Sequence, residues 1–231
     1  MDDKKKLGKF KQAVVDAKAL AGEEKLEQDG YVLFQYPDYD TYRMVQTAGN
    51  KAKLRAQFVK RSHIDILSAY LSEKLGRIGF GICHGTRRGA EQGWFRDALG
   101  AGAEVIGTEI SDTASQFPNT VQWDFHYINP DWSGKADFVY SNSWDHAFKP
   151  EQAFAAWIDA LRPGGVMLLD YTKGQSPEAA NPLDPFGITL EALVEMLSRN
   201  FGDQGRLLTP LNTRKTNKEY RAIVVIFQKN A

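Results

Sequence analysis

The chain has a single cysteine, Cys83, among its 231 residues. No intrachain disulfide can form, and no cysteine-based zinc cluster either. The charged start, Met1 to Lys6, has no apolar segment behind it. With so little cysteine, this leads us to expect a cytoplasmic protein. No stretch approaches the roughly 18 apolar residues that a membrane-spanning helix needs. An excess of one charge is missing too: 29 Lys and Arg balance 29 Asp and Glu. Zero net charge argues against a dedicated binder of nucleic acid or anionic membranes, which carries a basic excess. No spacing of His, Asp and Glu matches a metal site. The length suits one core, or one core with a helical extension.

What is present divides at Gly76. Residues 1 to about 30 are rich in Lys, Glu and Ala, and Phe10, Val14, Ala17, Leu20 and Leu26 suggest an amphipathic helix ended by Asp29-Gly30. Its lysines, Lys4, Lys5, Lys6, Lys9 and Lys11, read as a solvated face. Residues 31–42 are aromatic and turn-like. A second helical region spans about Asp40 to Leu75, with a break expected at Gly49-Asn50. Tyr42, Gln46 and Asn50 share one polar face of it, either solvated or closing over a ligand.

From Gly76 onward, short β runs alternate with helices. Strands are expected at Ile78–Cys83, Glu104–Thr108, Thr120–Trp123, Asp137–Ser141 and Val166–Tyr171, then at Arg206–Thr209 and Tyr220–Gln228. Helices are expected at Arg88–Leu99, Ser111–Phe117, Pro150–Leu161 and Thr189–Asn200. This order predicts an α/β fold, a Rossmann-like seven-stranded, mostly parallel sheet with helices on both faces and an antiparallel C-terminal edge. The expected division is an N-terminal helical extension or lid, 1–75, and a nucleotide-binding domain, 76–231. Gly174–Gly187, with three prolines, reads as a long binding loop or lid.

Ligands of open α/β sheets bind at the carboxyl ends of the strands. The first strand ends in Gly81-Ile-Cys-His-Gly-Thr-Arg-Arg-Gly89. Small residues there let backbone approach a ligand, and the next helix start offers free amides. Glu109 ends the second strand and can accept two ribose hydroxyls; Asp124, just past the third, can accept an adenine amino group. Cys83 reads as a small residue at a crowded strand end rather than a nucleophile.

On these residues the sequence resembles the class I S-adenosylmethionine-dependent methyltransferases, especially their small-molecule, type 11-like branch. The resemblance covers about residues 76–171. Its most specific part is Asp137 to Gly165, similar to the family's fourth strand, a His-containing loop, a helix and the Leu161-Arg-Pro-Gly-Gly165 turn. The family's D-x-G-x-G-x-G motif is altered: aligned on Gly85, Gly81 stands at the acid, Cys83 at the first glycine and Arg87 at the third.

The resemblance implies S-adenosylmethionine as cofactor and a small-molecule substrate methylated on O or N. It implies cofactor contacts from Cys83, His84, Gly85, Thr86, Arg87, Glu109, Ile110, Asp124, Phe125, Ser141 and Asn142. Arg87 or Arg88 can pair with the cofactor's carboxylate. His146 and Tyr171 are the candidate catalytic residues, with Asp145 as a possible orienting group for His146. Asn142 and Asp170 lie near the same strand ends. Two alternatives stand beside this reading. One is a non-catalytic cofactor-binding or interaction protein, kept open by the irregular first motif. The other is a nicotinamide-dependent oxidoreductase, opposed by the missing G-x-G-x-x-G fingerprint.

Overall fold

The computed structural model describes the backbone from Asp2 to Ala231, and the side chains except those of residues 1–7, 9 and 10. Lys4 to Lys6, Lys9 and Phe10 therefore lie outside the described side chains. Alternation of side chains along each strand supplies two apolar faces. In β3 (Phe80–His84), Ile82 joins a core with Val139, Met167 and Val225, while Cys83 joins another with Phe138, Tyr140 and Val224.

The central sheet runs β5 (Thr120–Gln122), β4 (Glu104–Glu109), β3, β6 (Ala136–Ser141), β7 (Leu161–Tyr171) and β11 (Ile223–Lys229). The first five are parallel, and β11 lies antiparallel to β7. Two short strands, β9 (Gly205–Leu207) and β10 (Leu211–Asn212), pair with different parts of β11. Eight strands thus fill seven positions, as the sequence leads one to expect. Two of the paired segments lie close enough in sequence to join without a helix, which parallel pairing would require.

Helices cover both faces. Phe95 of α4 (Ala90–Leu99) and Ile64, Leu67 and Leu71 of α3 (Arg61–Leu75) are buried on the Cys83 side. Trp157 of α5 (Pro150–Ala160) and Leu193 and Leu197 of α6 (Leu190–Phe201) are buried on the other. Residues 1–75 share these cores with residues 76–231.

The N-terminal part departs from expectation in three ways. First, α1 (Asp2–Ala21) ends before Gly22, and Asp29-Gly30 is the two-residue turn of a hairpin, β1 (Lys25–Gln28) and β2 (Tyr31–Phe34). Gly30 has φ of +71°, the left-handed conformation such turns favour. The buried stripe of α1 is Ala13, Ala17 and Ala21, whereas Leu20 and Leu26 are exposed.

Second, the loop after β7 contributes β8 (Phe186–Ile188), which pairs with β2. The segment expected to be an open loop is therefore ordered, with Leu183 and Phe186 fully buried.

Third, Gly49-Asn50 does not break a helix. α2 runs through it (Tyr39–Lys53), and the break falls at residues 54–60. A Cβ on Gly49 would stand 2.2 Å from Leu183 Cδ1, so this glycine admits close packing.

Asp137 ties β6 to the start of β3. Its Oδ2 accepts from the backbone N–H of Gly79 and Phe80 at 2.7 and 2.9 Å, and its Oδ1 from Arg162 Nε at 2.6 Å. Burial alone would raise its pKa, but these donors outweigh it and hold the value below the usual carboxylate range. A lowered folded-state value stabilises above the unfolded value and is lost as pH falls through the folded one. The contribution is complete above roughly pH 5 and fades below about pH 4. Asp137→Asn should cost about 1–3 kcal/mol at pH 7 and less at pH 3. Urea unfolding at both pH values checks this; an equal loss at each would show that the charge is irrelevant.

Candidate active site at the carboxyl ends of the strands

A cleft lies where β3, β4 and β6 end. Its floor comes from Gly85, Arg87, Glu109, Ile110, Asp124, Phe125, Ser143 and His146. Its roof comes from Tyr42, Gln46, Gly49, Asn50 and Lys53 of α2, with Leu183. The polar face of α2 is thus buried over the cleft, and the solvated alternative does not hold.

The loop after β3 turns on three left-handed residues. Gly85, Arg87 and Gly89 have φ of +71°, +49° and +76°. Gly85 tolerates no larger residue, since a Cβ would lie 2.8 Å from Ser143 Cβ. Gly81 has a separate reason: a Cβ there would strike the Phe138 ring at 2.2 Å.

A left-handed arginine costs about 1–3 kcal/mol, which its surroundings must offset. Its N–H donates to Glu109 Oε2 at 3.1 Å, and its Nη1 to Ala56 O at 3.0 Å. Its guanidinium lies 5.1 Å from the centre of the Phe58 ring. Burial draws its pKa down, opposed by Glu109, Glu91 and Asp184.

Glu109 also accepts from Ser111 N at 3.1 Å on Oε1. Burial raises its pKa; the Ser111 N–H, the Arg87 charge and N–H, and a hydrogen bond from the Asn50 side chain oppose the rise. Each oxygen has one of these backbone N–H partners, and a carboxylate oxygen can take two. Asp124 Oδ1 accepts from His126 N, and its Oδ1 lies 2.7 Å from His126 Nδ1. Its Oδ2 accepts from Tyr39 Oη at 2.9 Å. Burial works against the charge on Asp124, but His126 and Tyr39 hold its pKa low.

Several expected site residues stand elsewhere. Cys83 is fully buried in the α3-side core, and burial pushes its thiol pKa well up, so it is no nucleophile. His84 stacks on Trp157 at 4.7 Å with Nδ1 2.8 Å from Thr108 Oγ1, and burial pulls its pKa down to about 3. Thr86 is buried beneath the loop. Ser141 Oγ donates to His84 O at 3.1 Å, and Asn142 O accepts from Gln175 Nε2 at 3.1 Å. These four residues support the loops and do not line the cleft.

Tyr171 donates to Ile188 O at 3.0 Å and stacks near Trp144, away from the cleft lining. Asp170 is fully buried, with Oδ1 2.9 Å from His63 Nε2 and Oδ2 accepting from Tyr140 Oη at 2.6 Å. Arg88 Nε donates to Gln57 Oε1 at 3.3 Å.

His146 remains at the cleft, but its carboxylate is not Asp145. Asp145 Oδ2 accepts from Gln175 at 3.2 Å, and burial with the neighbouring Asp184 raises its pKa well above the usual range. The group facing His146 is Asp184, 3.3 Å from its Nε2 and 3.4 Å from Lys53 Nζ. Sequence reasoning missed Lys53, Ser143 and Asp184. Lys53 continues the Tyr42–Gln46–Asn50 face by one turn, so helical spacing could have found it. Nothing local marks Asp184. Among the described residues no group of His, Cys, Asp and Glu could hold a metal ion, and no helix is long and apolar enough to cross a membrane.

The fold is that of the class I S-adenosylmethionine-dependent methyltransferases. A Burkholderia thailandensis 1,6-didemethyltoxoflavin-N1-methyltransferase, solved with 1,6-didemethyltoxoflavin and S-adenosylhomocysteine, matches at TM-score 0.63 and 15% identity, over 90% of this chain and 100% of that one. The N-methyltransferase NodS of Bradyrhizobium japonicum, solved with S-adenosylhomocysteine, matches at TM-score 0.57 and 10% identity, over 80% and 99%. The [4+2]-cyclase SpnF matches at TM-score 0.55 and 13% identity, over 72% and 82%. No protein-family model and no curated protein sequence matches the chain.

Tyr39 is partly exposed at the first turn of α2, so its bond to Asp124 is worth at most about 1.5 kcal/mol. Tyr39→Phe should lower global stability by no more than that while loosening the first turn of α2. Amide exchange of residues 39–44 reads the effect; protection unchanged there would show that the hydroxyl does not hold the helix down.

Proposed function

We propose that the chain is an S-adenosylmethionine-dependent methyltransferase that methylates an O or N atom of a small molecule or sugar-like metabolite in the cytoplasm. The observation that carries this reading is one cleft lined by Gly85, Glu109 and Asp124, which follow three adjacent strands. The donor set fits the cofactor. Glu109 would accept the ribose hydroxyls, one of them in place of the Asn50 side chain, and Asp124 the adenine amino group on Oδ2. Arg87, which lines the same cleft, would hold the cofactor's carboxylate through its guanidinium. Bound there, the cofactor supplies an electrophilic methyl group, and the protein's main task is to align the acceptor with it.

A second reading keeps the cofactor but not the transfer. It is favoured by Arg87, which places a guanidinium where the family carries a glycine, and a neighbour of the same fold is named a cyclase.

Calorimetric titration with S-adenosylmethionine and, separately, with NAD tests the first step. Binding of the first alone is expected. Glu109→Ala should weaken it by about 1.5–3 kcal/mol, the scale of losing charge-assisted hydrogen bonds. Unchanged affinity in a folded variant would remove the ribose role. Release of S-adenosylhomocysteine with a metabolite panel then separates transfer from binding alone.

A further inference from the structure

The small sheet β1–β2–β8 ends in β1, and among the described residues no other strand pairs its outer edge. Every residue of β1 is exposed, and Leu26 keeps 52% of its surface open. The phase of the backbone bonds shows which groups are unused. Gly30 O accepts from Thr189 N and Phe34 N donates to Pro185 O, so the even positions of β2 turn toward β8. Tyr31 and Leu33 turn toward β1, where they face Gln28 and Leu26. Gln35 N donates to Glu24 O in the same phase. Bonded and non-bonded pairs alternate along an antiparallel ladder. The N–H and C=O groups of Lys25 and Glu27 therefore point outward, and among the described residues none outside the hairpin bonds them.

We infer that β1 is the contact of a symmetric dimer, pairing antiparallel with β1 of a second copy about an axis through Leu26. Lys25 then stands opposite the second copy's Glu27 and Glu27 opposite its Lys25, each pair exchanging both outward backbone bonds. Charge selects this register. Outward groups meet only where odd positions face odd positions, so the axis must pass through a residue. An axis at Lys25 sets two lysines face to face, and one at Glu27 sets two glutamates. An axis at Gln28 sets Glu27 against Asp29. Only the axis at Leu26 pairs opposite charges at both outward positions, the favourable arrangement for directly opposed residues. The inference does not depend on what the cleft binds.

A short, charged edge is how proteins discourage strand pairing in general. Here the charges are self-complementary. Lys25 Nζ lies 2.7 Å from Glu27 Oε2 on one face of the strand, and 6.0 Å from the centre of the Phe34 ring. A neutral strand would cover these charges without answering them, whereas a second copy brings an opposite charge to each. On the other face Leu26 sits beside Leu33, its cross-strand partner, which belongs to the core. The second Leu26 extends that apolar row at the closer spacing of a non-bonded pair. A groove lined by Leu26, Leu33, Phe34, Phe148 and Pro150 opens at the same rim, so the second copy continues its apolar wall. The chain turns at Asp29 and bends at Glu23, which keeps the contact small and the association weak.

Sedimentation equilibrium of the full chain over about 1 μM to 1 mM should show monomer giving way to dimer. Amide exchange at the two ends of that range reads the register. The Lys25 and Glu27 amides should slow as the dimer forms, while those of Leu26 and Gln28, already bonded to β2, should stay as they are. A chain that remains monomeric throughout would overturn the inference. So would a dimer that leaves the Lys25 and Glu27 amides in fast exchange.

Charge reversal tests the pairing itself. Lys25→Glu and Glu27→Lys each set like charges opposite one another, and each should weaken dimerisation by about tenfold or more. Both side chains are exposed, so the fold survives either change. Mixed in equal amounts, the two variants should form a heterodimer, because every outward position then meets an opposite charge. A chain carrying both Lys25→Glu and Glu27→Lys should dimerise like the original. Single variants that associate as tightly as the original would place the contact elsewhere and defeat the inference. A mixture that stays monomeric, or a double variant that does, would show that these charges do not set the register and would defeat it equally.

Discussion

The cleft depends on a buried ion pair. Lys53 at the end of α2 and Asp184 in the loop after β7 meet at 3.4 Å with side chains only 7% and 16% exposed. Removing such charges from water costs several kcal/mol each, and mutual attraction repays it only with further hydrogen bonds. Asp184 has them: Asn181 Nδ2 donates to its Oδ2 at 3.2 Å, and its own N–H donates to Asn181 Oδ1 at 3.3 Å. The pair fixes the end of α2 against a loop that Leu183, Phe186 and the pairing of β8 with β2 already draw inward. Everything that roofs the cleft follows, including Gln46 and the packing of Gly49 on Leu183.

The central fold was legible because its signal is local. Short apolar runs, helical periodicity and the Pro163-Gly164-Gly165 turn are written in neighbouring residues. The elements that escaped depend on partners distant in the chain. β8 is three residues in a proline-rich stretch, and its strand character arises from pairing with β2, more than 150 positions away in sequence. The same holds for Gly49. Helix propensity counts glycine as a breaker at about 1 kcal/mol, but a helix that must touch Leu183 closely gains more from the missing Cβ than it loses.

The site shows the same division. Glu109, Asp124 and Gly85 could be placed because strand ends can be counted from the sequence. The conformation of the glycine loop could not, because the left-handed φ of Arg87 is invisible in its residue type. His126 meets Asp124, two residues before it, only because the turn brings Nδ1 onto the carboxylate. His63 finds Asp170 across 107 residues, and no local pattern announces that pair. Tyr171 shows the opposite error. Its place near a strand end suggested catalysis, yet its hydroxyl is occupied by a backbone carbonyl.

The ties between the N-terminal elements and the strand-end loops differ in cost. Tyr39 to Asp124 is a bond of one partly exposed hydroxyl, worth about 0.5–1.5 kcal/mol net. Arg87 to Ala56 and Phe58 adds a guanidinium bond and a cation–π contact, each of similar size. Lys53 to Asp184 is far more expensive to separate, since either charge alone in that setting would lose its compensation. Opening the cleft therefore breaks the bond at the start of α2 first and the ion pair at its end last. The acid freed by the first step is Asp124, the group assigned to the adenine. The contact that holds the roof down most weakly is therefore the one that a nucleoside would replace.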